Sequence, residues 1–167
     1  LVVLPYKNLG SPEDAYFADG MTDELTSRLV NVAALQVINT SANQYGSSTK
    51  PPLQIAHELG VQYVITGTVR WEKAQAEPGR VRVTPILTRV VDGVVLWSDI
   101  YNENAAEIFQ VQATIAQRVA SALDVALSSR EHEALQVTHT RNPEAYTYYL
   151  RAHPLVLRHD PASADSA

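Results

Sequence analysis

The sequence contains no cysteine among its 167 residues, which excludes disulfides, thiol nucleophiles and cysteine-ligated zinc sites. It has no run of about 18 apolar residues, so it predicts no membrane-spanning helix and no membrane partner. Basic residues are few: 13 Lys and Arg stand against 18 Asp and Glu, which gives a net charge of −5. Because a nucleic-acid-binding surface needs clustered Lys and Arg, this balance predicts no nucleic-acid partner.

The motifs that carry common chemistries are also missing. There is no GxGxxG or GxxxxGK[ST] phosphate loop, no HExxH pair and no GxSxG elbow. The five histidines are scattered, and Asp19, Asp23 and Glu24 do not converge as a hard cation requires. The sequence therefore predicts no catalytic residue, no metal site and no cofactor, and we expect a chain that is not itself an enzyme.

What the sequence does contain is a pattern of strands between residues 61 and 101. Apolar and polar side chains largely alternate from Val61 to Glu72, the period of a strand with one buried face. A second alternating run covers residues 80–90, and Asp92-Gly93 then predicts a tight hairpin turn. Three consecutive antiparallel strands are therefore predicted. Pro85 removes a ladder donor from the second of them, which predicts an edge strand or a bulge there.

Short apolar runs alternate with helical patterns in the rest of the chain. Residues 1–5 and 35–38 predict strands, while residues 19–32 and 52–59 predict helices, the second ended by Gly60 as a left-handed cap. The longest helix is predicted from Asn104, as its N-cap, to Ser129. The predicted fold class is α/β: a mixed sheet of about five strands in the order β-α-β-α-β-β-β-α, with helices packed on it, plus a short helical tail.

The motif YFADG, at residues 16–20, leads into the first predicted helix and overlaps its first two residues. A glycine at a helix start with outward amides can bind an anion, but the three acids Asp19, Asp23 and Glu24 lie in or just after the motif and would repel phosphate. We therefore interpret the motif as capping and packing at the start of the helix, with the anion site as the alternative.

Four segments, in the right order, resemble the TolB-like N-terminal domain. They are LVVLPYKNLGSPEDAYFADGMTDELTSRL, IAHELGVQYVITGTVR, RVRVTPILTRVVDGVVLWSDIY and EIFQVQATIAQRVASAL, and the resemblance extends from residue 1 to about residue 127. NPEAYTYYLRA is similar to the segment that leads into tetratricopeptide repeats in that family. We therefore expect a TolB-like domain at residues 1–130, a linker at 131–141 and a truncated tetratricopeptide-like helical tail at 142–167.

In that family, the domain lies behind an adenylate cyclase, a protein kinase or a winged-helix domain, and ahead of the repeats. The resemblance implies a non-catalytic regulatory or protein-interaction module of a larger bacterial signalling protein. The chain opens in an apolar strand without Met, so we expect a piece of such a protein. The expected partners are proteins or adjacent domains of the same chain, with a homodimer as a further expectation. The expected compartment is the cytoplasm, with a periplasmic placement as the alternative.

The candidate interaction surface combines the polar sheet face with the tail. The polar positions Thr66, Thr68, Arg70, Arg82, Thr84 and Thr88 are predicted to lie opposite the covering helices. Such a face is either an ordinary solvated surface or a docking surface, anchored by Arg70 and Arg82 with Trp71 or Trp97 nearby. The tail residues Tyr146, Tyr149 and Leu150 would complete it, since a truncated repeat leaves them uncovered.

The alternative function is small-molecule sensing. Ligands of open α/β sheets bind beyond the carboxyl ends of the parallel strands. In this chain those ends are predicted near Pro5-Tyr6, near Thr40-Ser41 and at the loop of residues 44–50.

Overall fold

The chain is described here from a computed structural model, which covers residues 1–38, 45, 48–72, 79–104, 107–136, 145 and 148. These residues form a six-stranded mixed sheet and four α-helices, which confirms the predicted α/β fold class. The strands are β1 (Val2–Val3), β2 (Lys7–Asn8), β3 (Tyr63–Glu72), β4 (Arg80–Arg89), β5 (Val95–Ser98) and β6 (Tyr101–Asn104). The helices are α1 (Ala15–Val30), α2 (Pro52–Glu58), α3 (Ile108–Ala122) and α4 (Ser129–Gln136), and a 3-10 turn, Pro12–Asp14, leads into α1.

The six strands occupy four positions side by side in the sheet, and each such position is called a column. Each of the two outer columns is made of two short strands that follow one another in line. β3 and β4 pair antiparallel along their whole length, from Tyr63 opposite Arg89 to Glu72 opposite Arg80. β1 and β2 both pair parallel with β3, while β5 and β6 both pair antiparallel with β4. The three antiparallel strands predicted between residues 61 and 101 are thus confirmed as three columns, the last of them interrupted.

Pro85 lies inside the sheet, so the prediction of an edge strand is wrong. β4 has β3 on one side and the column of β5 and β6 on the other. The Pro85 carbonyl accepts a hydrogen bond from Ser98 Oγ at 3.0 Å, which places its missing N–H on the β5–β6 side. That column breaks between Ser98 and Tyr101, so the ladder requires no donor at this point. A register shift between Leu87 and Thr88 adds an irregularity close by.

The connection from β4 to β5 is longer than the tight turn predicted at Asp92-Gly93. Arg89 N donates to Val94 O at 2.9 Å, so the loop holds residues 90–93. Gly93 has a positive φ of 70°, and Asp92 is not in that region. Asp92 acts through its carboxylate, which accepts hydrogen bonds from the Arg89 guanidinium and from the Val94 amide.

Several element boundaries differ from the prediction. The strand predicted at residues 35–38 is reduced to one parallel bridge, between Ile38 and Val2. α1 begins at Ala15 and not at residue 19, because the 3-10 turn with its proline starts the helical path earlier. Asn104 ends β6, paired with Arg80, and does not cap a helix. Gly60 follows α2 at a φ of 66°, as predicted for a left-handed cap.

Helix α4 occupies part of the segment predicted as a polar linker. Ser128 and Glu131 form a capping box, in which Ser128 N donates to Glu131 Oε2 at 2.8 Å and Glu131 N donates to Ser128 Oγ at 3.3 Å. Leu135 is buried in the main core, so this helix packs on the domain. The predicted tail at 142–167 lies outside the described residues except at Ala145 and Tyr148, and it stays a prediction.

One face of the sheet is covered by helices along its length and the other only in part. α1 and α3 pack on the first face, against buried side chains of β3 and β4: Ile65, Val69, Val81, Val83 and Leu87. α4 packs on α3 and adds Leu135 to the same core. On the second face, Ile55 and Ala56 of α2 pack against Val2, Leu4, Val64 and Val90. β1 is therefore buried on both faces, as its continuously apolar sequence predicts. Within the described ranges, each helix is too short or too polar to cross a membrane.

Candidate docking face and ligand cleft

The part of the second sheet face that α2 leaves uncovered is called the open face here. Cross-strand pairing brings Thr68 opposite Thr84 and Arg70 opposite Arg82, and the alternation of the strands puts Thr66 and Thr88 on the same side. Exposure increases with distance from α2: Val64 is buried, Thr66 and Thr68 are half-buried, and Arg70 is exposed. The structure thus gathers all six predicted polar residues on one surface.

The arginines are the distinctive feature of the open face. Arg70 and Arg82 lie directly opposite each other on β3 and β4, and both are exposed. Neither forms an ion pair with any acidic side chain in the part of the chain that the structure describes. Like charges directly opposite each other on a sheet are destabilising. The pair therefore destabilises the isolated domain, and an acidic surface bound to it would remove this repulsion.

Trp71 does not belong to the open face. It follows Arg70 in β3, so its side chain points to the opposite side, where its ring centroid lies 4.8 Å from Phe17 and 6.3 Å from Tyr16. Tyr16 and Phe17 lie in the first turn of α1, so the YFADG motif packs this helix onto the sheet and does not cap it. Of the remaining predicted surface residues, Tyr146, Tyr149 and Leu150 lie outside the described residues.

A cleft of about 670 Å³ opens where β1 ends and β2 begins. Val3 pairs with Ile65 and Lys7 pairs with Thr68, so four steps along this column match only three along β3. The displaced residues, 5 and 6, leave space beside β3 that is lined by Thr66, Gly67 and Thr68, by the start of α1 and by the chain leading into α2. Small-molecule sites range from roughly 300 to 1,000 Å³. The cleft lies at the carboxyl end of β1, where the sensing alternative expects a ligand.

The charged side chains among the described residues that line the cleft are Lys7, Lys50 and Asp19. The Lys50 ammonium lies 2.7 Å from Glu58 Oε2, so its charge is already compensated. Lys7 is exposed and Asp19 is half-buried, and neither has a side-chain hydrogen bond or an ion pair within the described residues. Burial raises the pKa of Asp19, since desolvation disfavours the carboxylate. Among the described residues, the cleft therefore presents one carboxylate, Asp19, and one ammonium, Lys7, without a charged partner.

Replacing Asp19 by asparagine is expected to raise the melting temperature at neutral pH. Because the pKa of Asp19 is raised above its ordinary 3.8 in the folded state, the folded protein binds the proton more tightly than the unfolded chain does. Wild-type stability therefore falls as the pH rises from 3.8 through the raised pKa, and the penalty persists above it. Asparagine removes this penalty, so the difference between the two proteins should vanish in acid.

Thermal melts across the acidic and neutral range measure this difference. Glu13→Gln is the matched control, because Glu13 is an exposed acid on the 3-10 turn that leads into α1. The control should melt like the wild type. A lower melting temperature of Asp19→Asn at neutral pH would contradict the assignment of Asp19 as a destabilised carboxylate.

Comparison with known sequences places the chain beside one part of a longer protein. No family model matches the sequence. A curated relative from Rhizobium meliloti (strain 1021), named "Putative adenylate cyclase 3", is 32% identical over 169 residues, which cover 100% of this chain and 28% of the relative. The chain thus spans about 28% of the length of the curated relative that it matches.

Solved structures share the fold at low sequence identity. The PelC dodecamer from Paraburkholderia phytofirmans matches with a TM-score of 0.53 and 20% identity, over 75% of this chain and 87% of that chain. TolB from Acinetobacter baumannii carries the name that the resembled family also uses. It matches with a TM-score of 0.48 and 18% identity, over 73% of this chain and 27% of that chain. The likeness to PelC concerns the fold alone, and the likeness to TolB is too slight to bear on it.

Proposed function

We propose that this chain is a non-catalytic regulatory module of a larger signalling protein and that it docks an acidic protein surface on its open face. The observation that carries the proposal is the exposed pair of arginines, Arg70 and Arg82, opposite each other without an acidic partner among the described residues. The signalling context is supported by the alignment of the whole chain with part of a relative named as an adenylate cyclase.

The chemistry of the open face suits carboxylates on a protein. Each guanidinium presents a planar fork of donors that matches a carboxylate in a bidentate arrangement, and it is more weakly hydrated than an ammonium. The half-buried Thr68 and Thr84 lie beside the pair. Because their side chains are short, a partner can approach the sheet closely at this point. Arginines in such positions often contribute a large share of the binding energy of an interface.

The proposed occupant is an acidic surface on a neighbouring domain of the same polypeptide. The curated relative continues well beyond the part that this chain matches, so its own polypeptide supplies further domains. Linkage within one polypeptide raises the effective concentration of such a domain, and weak charge-based docking then suffices. A second copy of the chain is the alternative occupant, and it is distinguished below by mass.

We also propose that the module itself performs no chemistry and lies in the cytoplasm, beside the output domain that it regulates. The missing catalytic motifs support the first statement. In the described ranges, His, Asp and Glu do not gather in groups that could hold a metal ion. A second candidate function, small-molecule sensing, is favoured by the cleft at the carboxyl end of β1.

The double variant Arg70→Glu/Arg82→Glu is expected to weaken docking by about 30-fold or more, since it places like charges against the acidic surface. Titration calorimetry between this chain and the remaining domains of its parent polypeptide measures the affinity, at low and at high salt. Wild-type binding should weaken as salt rises, because the contact is ionic.

Arg130→Glu is the matched control, since Arg130 is an exposed arginine on α4 and not on the open face. It should bind like the wild type. Equal affinity of the double variant and the wild type would refute docking through the open face. Doubling of the mass of the wild-type chain alone, lost in the double variant, would assign the face to a second copy.

A further inference from the structure

The cleft between β1 and β2 is held open by contacts on both sides of the interruption. Tyr6 N donates to Thr22 Oγ1 of α1 at 2.9 Å, so at this residue the column is tied to the helix and not to β3. Thr22 Oγ1 in turn donates to Ala18 O at 2.9 Å, and this hydroxyl is buried. On either side, Leu4 N and Leu9 N donate to Ile65 O and Val69 O of β3. The gap is therefore a fixed feature of the fold.

The walls of the cleft combine an apolar surface with two charges of opposite sign. The apolar lining comes from Leu4, Pro5, Ile55 and Ile86, with the ring of Tyr45 beside them. Asp19 contributes a half-buried carboxylate from α1, and Lys7 contributes an ammonium from β2. The Lys50 ammonium is occupied by Glu58 Oε1 and Oε2, at 2.8 and 2.7 Å.

A half-buried carboxylate without a protein partner is costly, and such groups concentrate at binding sites. A ligand that compensates both charges must itself carry a cation and an anion. The apolar lining of the same cleft favours an apolar body on the same molecule. Free α-amino acids with apolar side chains have this combination in a size that suits the cleft.

We propose that the cleft binds a free amino acid with an apolar side chain. Asp19 accepts hydrogen bonds from its ammonium, Lys7 pairs with its carboxylate, and Leu4, Ile55 and Ile86 contact its side chain. The module then senses a metabolite as well as docking a protein. Arg70 and Arg82 do not line the cleft, so the two activities are separable by mutation.

Thermal shift with leucine and phenylalanine, within a panel of the common amino acids, is the first test. A ligand at about one hundred times its dissociation constant should raise the melting temperature by about 5–10 °C. Isopentylamine keeps the ammonium of leucine without the carboxylate, and 4-methylpentanoate keeps the carboxylate without the ammonium. Each should bind at least about tenfold more weakly than leucine by calorimetry. A flat response to the whole panel would overturn the proposal.

Two variants test the assigned contacts. The Asp19→Asn variant should bind leucine no more tightly than the wild type binds 4-methylpentanoate. The Lys7→Gln variant should bind leucine no more tightly than the wild type binds isopentylamine. Since Asp19→Asn is expected to be the more stable protein, its loss of binding cannot be ascribed to unfolding. Glu13→Gln, Arg130→Gln and Arg70→Glu/Arg82→Glu should bind leucine like the wild type. Unchanged binding by Asp19→Asn would overturn the proposal even where the panel responds.

Discussion

Replacing Arg28 by methionine is expected to destabilise the domain by about 3–5 kcal/mol, the cost of breaking a buried ion pair. Arg28 is buried in α1, its Nη2 lies 3.1 Å from Glu24 Oε1, and its Nη1 donates a hydrogen bond to Leu135 O of α4. Methionine keeps the apolar stem but leaves a largely buried carboxylate without this cation and the Leu135 carbonyl without this donor. α4 then loses a main attachment to α1.

Chemical denaturation followed by circular dichroism measures the loss. Arg130→Met makes the same substitution at an exposed site on α4 and should leave stability almost unchanged. Arg28→Met/Glu24→Leu removes both charges of the pair and should recover a large part of the loss, since burial of the Glu24 carboxylate without the Arg28 cation causes much of it. A loss below about 1 kcal/mol for the single variant would show that the buried pair does not hold α4.

Replacing Gly67 by alanine is expected to destabilise the domain by about 1–3 kcal/mol, through overpacking against Tyr6. A Cβ at position 67 would lie 2.2 Å from Tyr6 Cε1 and 2.7 Å from its Cδ1 and Cζ. The ring is buried, and the backbone of Tyr6 is fixed by the hydrogen bond from its amide to Thr22 Oγ1, so it has little room to retreat. Gly67 is thus required by the close approach of this ring to β3.

The control for this prediction is a double-mutant cycle with Tyr6→Leu, which removes the ring. In that background, Gly67→Ala should cost clearly less than in the wild type, because the two changes act on one contact. Equal costs in the two backgrounds would place the effect of the alanine elsewhere. Tyr6 and Gly67 both line the cleft. Binding of the free amino acid leucine should therefore weaken in Gly67→Ala, where the ring of Tyr6 is displaced.

The main features of the fold were predictable from periodicity. Alternation with a period of two identifies β3 and β4 and assigns their side chains to faces, and the three-and-four spacing of apolar residues identifies α3. The same alternation implies that the neighbours Arg70 and Trp71 point to opposite faces. Trp71 therefore lies with Phe17 on the helix-covered face and not with the arginines, as the alternation itself implies.

Other features depend on contacts between distant segments. The interruption of the first column is fixed by Tyr6, Thr22 and Gly67, which no local pattern connects. The break between β5 and β6 allows Pro85 inside the sheet, whereas proline alone predicts an edge strand or a bulge. α4 did have a local signal, the Ser128-x-x-Glu131 capping box, which the polar composition of that segment obscured.

The sequence expects a ligand near Pro5-Tyr6 and at the loop of residues 44–50, and both segments contribute to the lining of the cleft. It does not predict Asp19 or Lys7 in that lining. The carboxyl end of the first strand was expected to face a ligand, following the general rule for open sheets. Asp19 was assigned to the start of a helix, where an acid favours the unpaired amides. Because α1 begins at Ala15, Asp19 lies in its second turn and lines the cleft instead.

Arginine-specific modification by phenylglyoxal, followed by peptide mass spectrometry, tests the docking proposal most directly. The reaction is compared between this chain alone and the intact parent polypeptide, with Arg130 as an internal control. We expect Arg70 and Arg82 to react readily in the isolated chain, where both are exposed, and to be protected in the intact protein, while Arg130 reacts equally in both. Equal reactivity of Arg70 and Arg82 in the two samples would contradict the assignment of the open face as a docking surface.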